Sequence, residues 1–243
     1  MLDNNDMTDE LAFIKVCSIG RMKDAWNRNY ERKKFCVLVE DSVANEEWKG
    51  GDLGFIIADA REAWAIEELD KAVKAAREMG VLTFALVITV EPLAPMTSML
   101  CFNPEKFADD EEIAGNMYHV IKSVRGVLAI PGLVNLDFAD FHSIFDRAGQ
   151  LSFGHGEGNG ENASKVAAEQ CLKMIDDLYG GIAAATGIIL NVSGSEDNLS
   201  MDEILEVSEM VAEQAPTDCN IIWGAGLDNS LGACVTVDIL VQN

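Results

Sequence analysis

The opening third of the chain carries four predominantly apolar runs, FIKVCSI (13–19), FCVLV (35–39), LGFIIA (53–58) and VLTFALVITV (81–90). A strand wetted on one face alternates polar and apolar residues, so runs that are apolar throughout need cover on both faces. The stretches between them supply that cover. Met22, Trp26 and Tyr30 recur at helical spacing, and a helix is predicted from about Ala60 to Met79, closed by Gly80. Strands alternating with helices argue for a buried parallel sheet in an α/β fold.

Helical periodicity returns from Asp109 to about Leu128, with Ile113, Met117, Ile121, Val124 and Leu128 on one stripe and acids in the first turn. The loop IPGLVNLDFAD leads from it to a helix through Phe138, Phe141, Phe145 and Arg147, ended by Gly149. The segment SFGHGEGNGENAS, in which glycines alternate with other residues, fits either a glycine-containing strand and turn or a surface loop. The last third reads as α+β: a helix from Ala163 to Leu178, a strand from Thr186 to Val192, and a helix opened by a capping box at Ser200 and Glu203. Two final strands, NIIWGAGLD and ACVTVDILVQ, flank the turn NSLG, and antiparallel pairing of the two is the natural expectation.

Charge and cysteine content narrow the function. A net charge of -23, from 41 acidic and 18 basic residues, repels a polyanion, so nucleic acid is not an expected partner. The six cysteines form no C-x-x-C pair and have no histidine at zinc spacing; they read as reduced packing residues, and no metal is expected. The acidic start MLDNNDMTDE lacks a secretory pattern, and the longest apolar run, about ten residues, is half of what a membrane helix needs. A cytoplasmic protein without a membrane role is the resulting expectation.

Three collinear blocks resemble FtsZ, the bacterial homologue of tubulin. PGLVNLDFADFHSIFDRAG (131–149) resembles the loop and helix after that family's central helix, with NLDFAD the most specific part. GIILNVSGSEDNLSMDEILEVSEMVAEQAPTDCNIIWGAGLDNSLG is similar to its C-terminal domain, and AREMGVLTFALVITVEP to the helix end and strand that follow its phosphate loop. The resemblance implies a tubulin/FtsZ-like α/β architecture. Its parts would be a reduced N-terminal parallel-sheet domain of the nucleotide-binding type (11–108), a central connecting helix (109–130) and a C-terminal α+β domain (131–243).

It also implies a glycine-rich loop that cradles the phosphates of GTP on free N–H groups and a helix end. Counting back without gaps from Gly80, the matching positions are Arg61, Glu62, Ala63, Trp64, Ala65, Ile66 and Glu67, without a glycine. ADAREAWAIEEL is a good helix in its own right, with Asp59 as cap and Glu62 as its reciprocal partner. Glu62, Glu67 and Glu68 would add negative charge, each close like-charge pair costing on the order of 4 kcal/mol at an effective dielectric of about 20. The family's first glycine-rich loop is reduced to Gly20 in SIGRMKDAWNRN, where Arg21 and Lys23 can attract an anion. No cofactor is therefore expected, and the chain is not expected to be an autonomous GTPase; GTP or GDP enters only if the site is unorthodox.

The loop after the central helix, by the resemblance, enters the nucleotide site of the next subunit and positions the attacking water. Asn135, Asp137 and Asp140 match its positions and are the candidate catalytic residues, donated to a neighbour. Capping explains them equally: Asp137 at the N-cap of the next helix, Asp140 as its partner, Asn135 in a turn. His142 and His155 read as surface or packing residues. Three functions stay open: an assembly or regulatory subunit partnering FtsZ or its own copies, a self-associating or small-molecule-binding protein in which Trp64 presents an apolar surface, and a GTP-binding protein with an unorthodox site. Ending at its last strand, the chain is expected to lack the tail through which the family reaches membrane-tethering proteins.

Overall fold

A computed structural model describes residues 13–30, 36–129, 132–134 and 137–243. They form two compact units, one drawn from the described residues within 1–97 and 102–129, the other from those within 98–101 and 130–243.

In the first unit the apolar runs become parallel strands. These are β1 (Ile14–Ser18), β2 (Val37–Leu38), β3 (Leu53–Asp59) and β4 (Leu82–Ile88), in the order β2-β1-β3-β4. Every residue of β3 and β4 is buried, as runs covered on both faces require. Phe55 stacks on Phe84 across the pair, ring centroids 5.2 Å apart. Around the sheet lie α1 (Met22–Tyr30), the short α2 (Asn45–Trp48), α3 (Ala63–Glu78) and α4 (Asp110–Ala129). Helix α3 buries Leu69, Ala72, Val73 and Ala76, while α1 packs on α4. Trp48, fully buried, donates its indole N–H to the Ser42 carbonyl at 2.8 Å.

Helix α3 starts later than the expected Ala60. The Asp59 carboxylate accepts the Arg61 N–H at 3.0 Å, and the Glu62 N–H reaches the Asp59 carbonyl, so residues 59–62 form a turn ahead of the helix. Asp59 thus caps no helix, and Glu62, which takes the N-cap position, makes no side-chain cap bond.

The second unit holds β5 (Ser98–Phe102, of which 98–101 belong here), β6 (Gly132–Val134), β7 (Gly149–Asn159), β8 (Gly187–Gly194), β9 (Asn220–Leu227) and β10 (Cys234–Gln242), with α5 (Phe138–Phe145), α6 (Ala163–Tyr179) and α7 (Met201–Ala212). The strand order is β5-β7-β10-β8-β9-β6. The expected pairing of the last two strands is overturned: β10 lies between β7 and β8, antiparallel to both, and β9 pairs with β8 and β6. Burial gives the reason. Strand β10 ends in four successive buried residues, Ile239 to Gln242, which suit the middle of the sheet, whereas β9 begins with exposed and partly exposed residues.

The glycine-alternating segment is strand β7, and spacing explains the glycines. A Cβ on Gly154, Gly156 or Gly158 would lie 2.5, 2.0 or 1.9 Å from a backbone carbonyl oxygen of α6, so the helix rests directly on the strand. Beneath α6 and α7, the sheet contributes Ile188, Leu190, Val192, Val235, Val237, Ile239 and Val241 to one apolar core. The capping box forms as expected, Ser200 accepting from the Glu203 N–H while Glu203 accepts from that of Ser200.

Candidate functional site

In a parallel sheet the crevice for a ligand opens beyond the C-terminal ends of the strands, where the order reverses. Here the chain passes from β1 to β2 on one side and then to β3 on the other, so that point lies between the ends of β1 and β3. Five charged side chains gather there, from three separate parts of the sequence.

The β3 end supplies Asp59, whose side chain is wholly buried. Arg61 folds back onto it, Nε donating to Oδ1 at 2.8 Å and Nη2 to Oδ2 at 2.7 Å. The same guanidinium donates to Asp110 Oδ1 at 2.8 Å, from the first turn of α4, where the helix dipole favours a carboxylate. Arg21 completes the ring, its Nη2 3.3 Å from Asp110 Oδ2 and its Nε 3.7 Å from Asp59 Oδ2. The bonds to Asp59, with those to Asp110 behind them, hold the Arg61 guanidinium further above its already high ordinary range.

The β1 end supplies the backbone. Gly20 has φ +77, a left-handed conformation that glycine adopts without strain, and it turns the chain into α1. The next N–H, that of Arg21, donates to Glu62 Oε2 at 2.9 Å. That oxygen lies 2.5 Å from where a Cβ on Gly20 would stand, so only glycine admits the carboxylate so close. The Trp64 ring lies beside it with the residue 54% exposed. The other acids of α3 face elsewhere: Glu67 is exposed, and Glu68 accepts from the Ser42 hydroxyl at 3.0 Å. The expected addition of three negative charges to this crevice therefore reduces to Glu62. Lys23, the other cation expected at this loop, is exposed.

Sequence reasoning placed Arg21, Arg61, Glu62 and Trp64 at the two loops but missed Asp110 and gave Asp59 the wrong partner. No local spacing connects Arg61 with an acid 49 positions away. The one available signal was the acidic first turn of α4.

The candidate donor residues belong to the second unit. Asp137 caps α5, accepting the Ala139 N–H at 3.0 Å, and is exposed; Asp140 is exposed in the first turn of that helix; Asn135 lies outside the described residues. His142 is exposed near Asp146. His155 is only partly exposed: its Nδ1 lies 2.7 Å from Asp238 Oδ1 and its Nε2 3.3 Å from Glu157, and the hydrogen bond to Asp238 outweighs burial and raises its pKa above 6.5. All six cysteines are free thiols, and burial pushes Cys17 up to about 12. Among the described residues no group of acids, histidines and cysteines is arranged to hold a metal, and no helix is long and apolar enough to cross a membrane.

Comparison with known proteins places this geometry in context. Residues 149–243 match the model of the FtsZ family, C-terminal domain. The cell division protein FtsZ of Methanothermobacter thermautotrophicus is 33% identical over 190 residues, 76% of this chain and 48% of that protein. The Wolbachia pipientis cell division protein FtsZ is 33% identical over 137 residues, 55% of this chain and 42% of that one. The chain thus spans less than half the length of these two relatives. In three dimensions it is similar to an empty FtsZ dimer from M. jannaschii, with TM-score 0.73 and 19% identity, covering 96% of this chain and 88% of the other. A GTPγS-bound protofilament of CetZ2 from Haloferax volcanii gives TM-score 0.66 at 10% identity, covering 94% of this chain and 92% of that one. At such identities these likenesses speak for the fold.

Proposed function

We propose, from the premise that this chain belongs to the FtsZ and tubulin superfamily of cell-division and cytoskeletal proteins, that it is an assembly or regulatory subunit that does not hold or hydrolyse GTP by itself. One observation carries the proposal: the Glu62 carboxylate sits on the Arg21 N–H beneath Gly20, at the turn into α1 where a phosphate would need that donor.

The residues present do not fit a triphosphate. Phosphate cradles offer several free N–H groups from glycine-rich backbone and a surplus of positive charge. Here the Arg21 N–H is taken by Glu62, and the guanidinium groups of Arg21 and Arg61 already face Asp59 and Asp110, so that three carboxylates meet two cations and a negative surplus remains. The loop after the central helix keeps Asp137 and Asp140 exposed, which supports its use on a neighbouring subunit. The favoured neighbour is a true FtsZ subunit, with a further copy of this chain as the other candidate.

Calorimetric titration with GTP and GDP tests the first half, because a ligand with Kd near 100 μM, about 5 to 6 kcal/mol, gives measurable heat. No heat up to that range is expected. Co-sedimentation with polymerising FtsZ tests the second half: the chain is expected in the pellet or in altered GTP turnover, with Asp137→Ala and Asp140→Ala weakening the effect. Absence of both effects would discard the subunit role.

A further inference from the structure

We infer that Asn159–Gly160, where β7 ends and the chain turns towards α6, is a site of spontaneous covalent modification: the Asn159 side chain closes onto the Gly160 nitrogen, and the ring hydrolyses to aspartate and isoaspartate. The inference is independent of nucleotide binding and of any partner.

The reaction makes definite demands, and the structure meets them here. The attacking atom is the backbone nitrogen of the following residue, which a side chain on that residue hinders and glycine leaves open. Asn159–Gly160 is the only Asn–Gly pair in the chain. The main chain must also be able to turn. Asn159 is the last residue of β7, Gly160 lies at φ +78, and nothing stands within 4 Å of where its Cβ would be. Neither reacting group is held elsewhere: among the described residues the Gly160 N–H and the Asn159 side chain make no hydrogen bond. Both residues are exposed, so water reaches the ring. Asn229–Ser230 shows the opposite case. Its Asn229 Oδ1 accepts the Glu196 N–H at 3.2 Å, and the Ser230 N–H donates to Asp228 Oδ1 at 2.9 Å, so both reacting groups are occupied.

In the first step a bond forms between the Gly160 nitrogen and Asn159 Cγ while the bond from Cγ to Nδ2 breaks. The Gly160 nitrogen gives up its proton, and the amide leaves as ammonia. Water then opens the cyclic imide on either side of the nitrogen. Cleavage at Cγ leaves an ordinary aspartate, whereas cleavage at the main-chain carbonyl routes the backbone through the side chain as isoaspartate. Nothing is oxidised or reduced. Either product sets a carboxylate between Glu157 and Glu161 on a chain already at -23. Isoaspartate also adds a methylene to the main chain next to Gly158, whose Cβ position lies 1.9 Å from the Ala163 carbonyl oxygen of α6.

The test is incubation of the folded chain at neutral and mildly alkaline pH, with a urea-unfolded sample in parallel. Peptide mapping by mass spectrometry reads the replacement of the amide by a carboxyl group, and chromatography separates isoaspartate from aspartate. In the folded chain, conversion at Asn159 is expected to run at least about tenfold faster than at Asn229, to quicken as pH rises, and to give both products. Gly160→Ala should slow it by about tenfold or more. Asn159→Gln, whose longer side chain must close a larger ring, should remove the signal at that position, and it carries the comparison if Gly160→Ala distorts the turn. Conversion at Asn159 no faster than at Asn229, or more than about tenfold slower than in the unfolded chain, would show that the fold protects the pair and overturn the inference. Aspartate without isoaspartate would overturn the ring-closure route.

Discussion

Arg61 is the group on which the charge network of the first unit turns, and its removal has a calculable consequence. The Asp59 side chain is fully buried, and Arg61 gives it both arms of a bidentate pair. In Arg61→Ala the carboxylate keeps the residue 61 backbone N–H at 3.0 Å and Arg21 Nε at 3.7 Å. Stripping one partner from a buried ion pair costs about 3 to 5 kcal/mol. The Arg61 side chain is 30% exposed and Arg21 remains as a second cation, so water and Arg21 recover part of that loss and about 2 to 3 kcal/mol is expected. Arg61→Lys keeps the charge but not the planar fork and should lose about 1 to 2 kcal/mol; Asp110→Asn, on the exposed side of the network, should lose less than about 1 kcal/mol. Urea unfolding followed by tryptophan fluorescence reads this directly, because Trp26, Trp48 and Trp64 lie in the first unit and only Trp223 in the second. With slopes of about 1 to 3 kcal/mol per molar, the Arg61→Ala midpoint should fall by roughly 1 M. An Arg61→Ala midpoint equal to wild type, or a loss no larger than that of Asp110→Asn, would refute the assignment of Arg61 as the cation that makes a buried Asp59 tolerable.

Gly156→Ala is expected to cost about 3 kcal/mol or more by thermal or urea unfolding, because its Cβ would lie 2.0 Å from the Ala167 carbonyl oxygen and α6 must shift. Gly115→Ala, on α4 with open space around it, should instead stabilise by about 0.5 to 1 kcal/mol, and equal effects at the two positions would discard the packing account. His155 has a pKa raised in the folded state by Asp238, so its contribution is fully present below its ordinary value of 6.5 and lost as pH rises through the raised one. The stability gap between wild type and His155→Gln should therefore be widest in acid and close on going alkaline; a constant gap would show that the imidazole does not titrate against Asp238. Ser200→Ala should lose about 1 kcal/mol by opening the capping box of α7, which unfolding at neutral pH measures.

Much of the architecture was readable because it is written in local periodicity. The runs LGFIIA and VLTFALVITV read as doubly covered strands, and both are buried except for Val90 at the end of the second. The capping box at Ser200 and Glu203 fixed a helix start from four residues. Sheet order is another matter: nothing near NSLG distinguishes a hairpin with β9 from a last strand that passes β8 to lie between β7 and β8, because that choice depends on burial summed over the whole sheet. The glycines of β7 were ambiguous for the same reason, since their partner is the backbone of α6 rather than any neighbour in sequence. At the candidate site the sequence singled out the residues around Asp59 to Glu62 but misassigned their bonds. An aspartate three residues before a glutamate reads as a capping box; Asp59 and Glu62 instead bond Arg61 and the Arg21 N–H, and these partners are set by how β1, β3 and α4 converge.

That convergence bears on how such a fold persists without a ligand. The ends of parallel strands gather backbone donors and helix N-termini, and an anion cradle left vacant exposes unpaired N–H groups beside fixed cations. In a protein that keeps a ligand, the ligand's phosphates complete those groups, and stability is linked to its concentration. On the proposed reading, this chain completes them from within: Glu62 answers the Arg21 N–H, while Asp59 and Asp110 answer Arg21 and Arg61. The first unit then folds to full stability at any nucleotide concentration. The acids at Asp137 and Asp140 belong to the other unit and enter none of these bonds, so a donor role for that loop, as proposed, and the charge network of the first unit can change independently. The proposed subunit role, giving a loop without receiving one, requires no more than that independence.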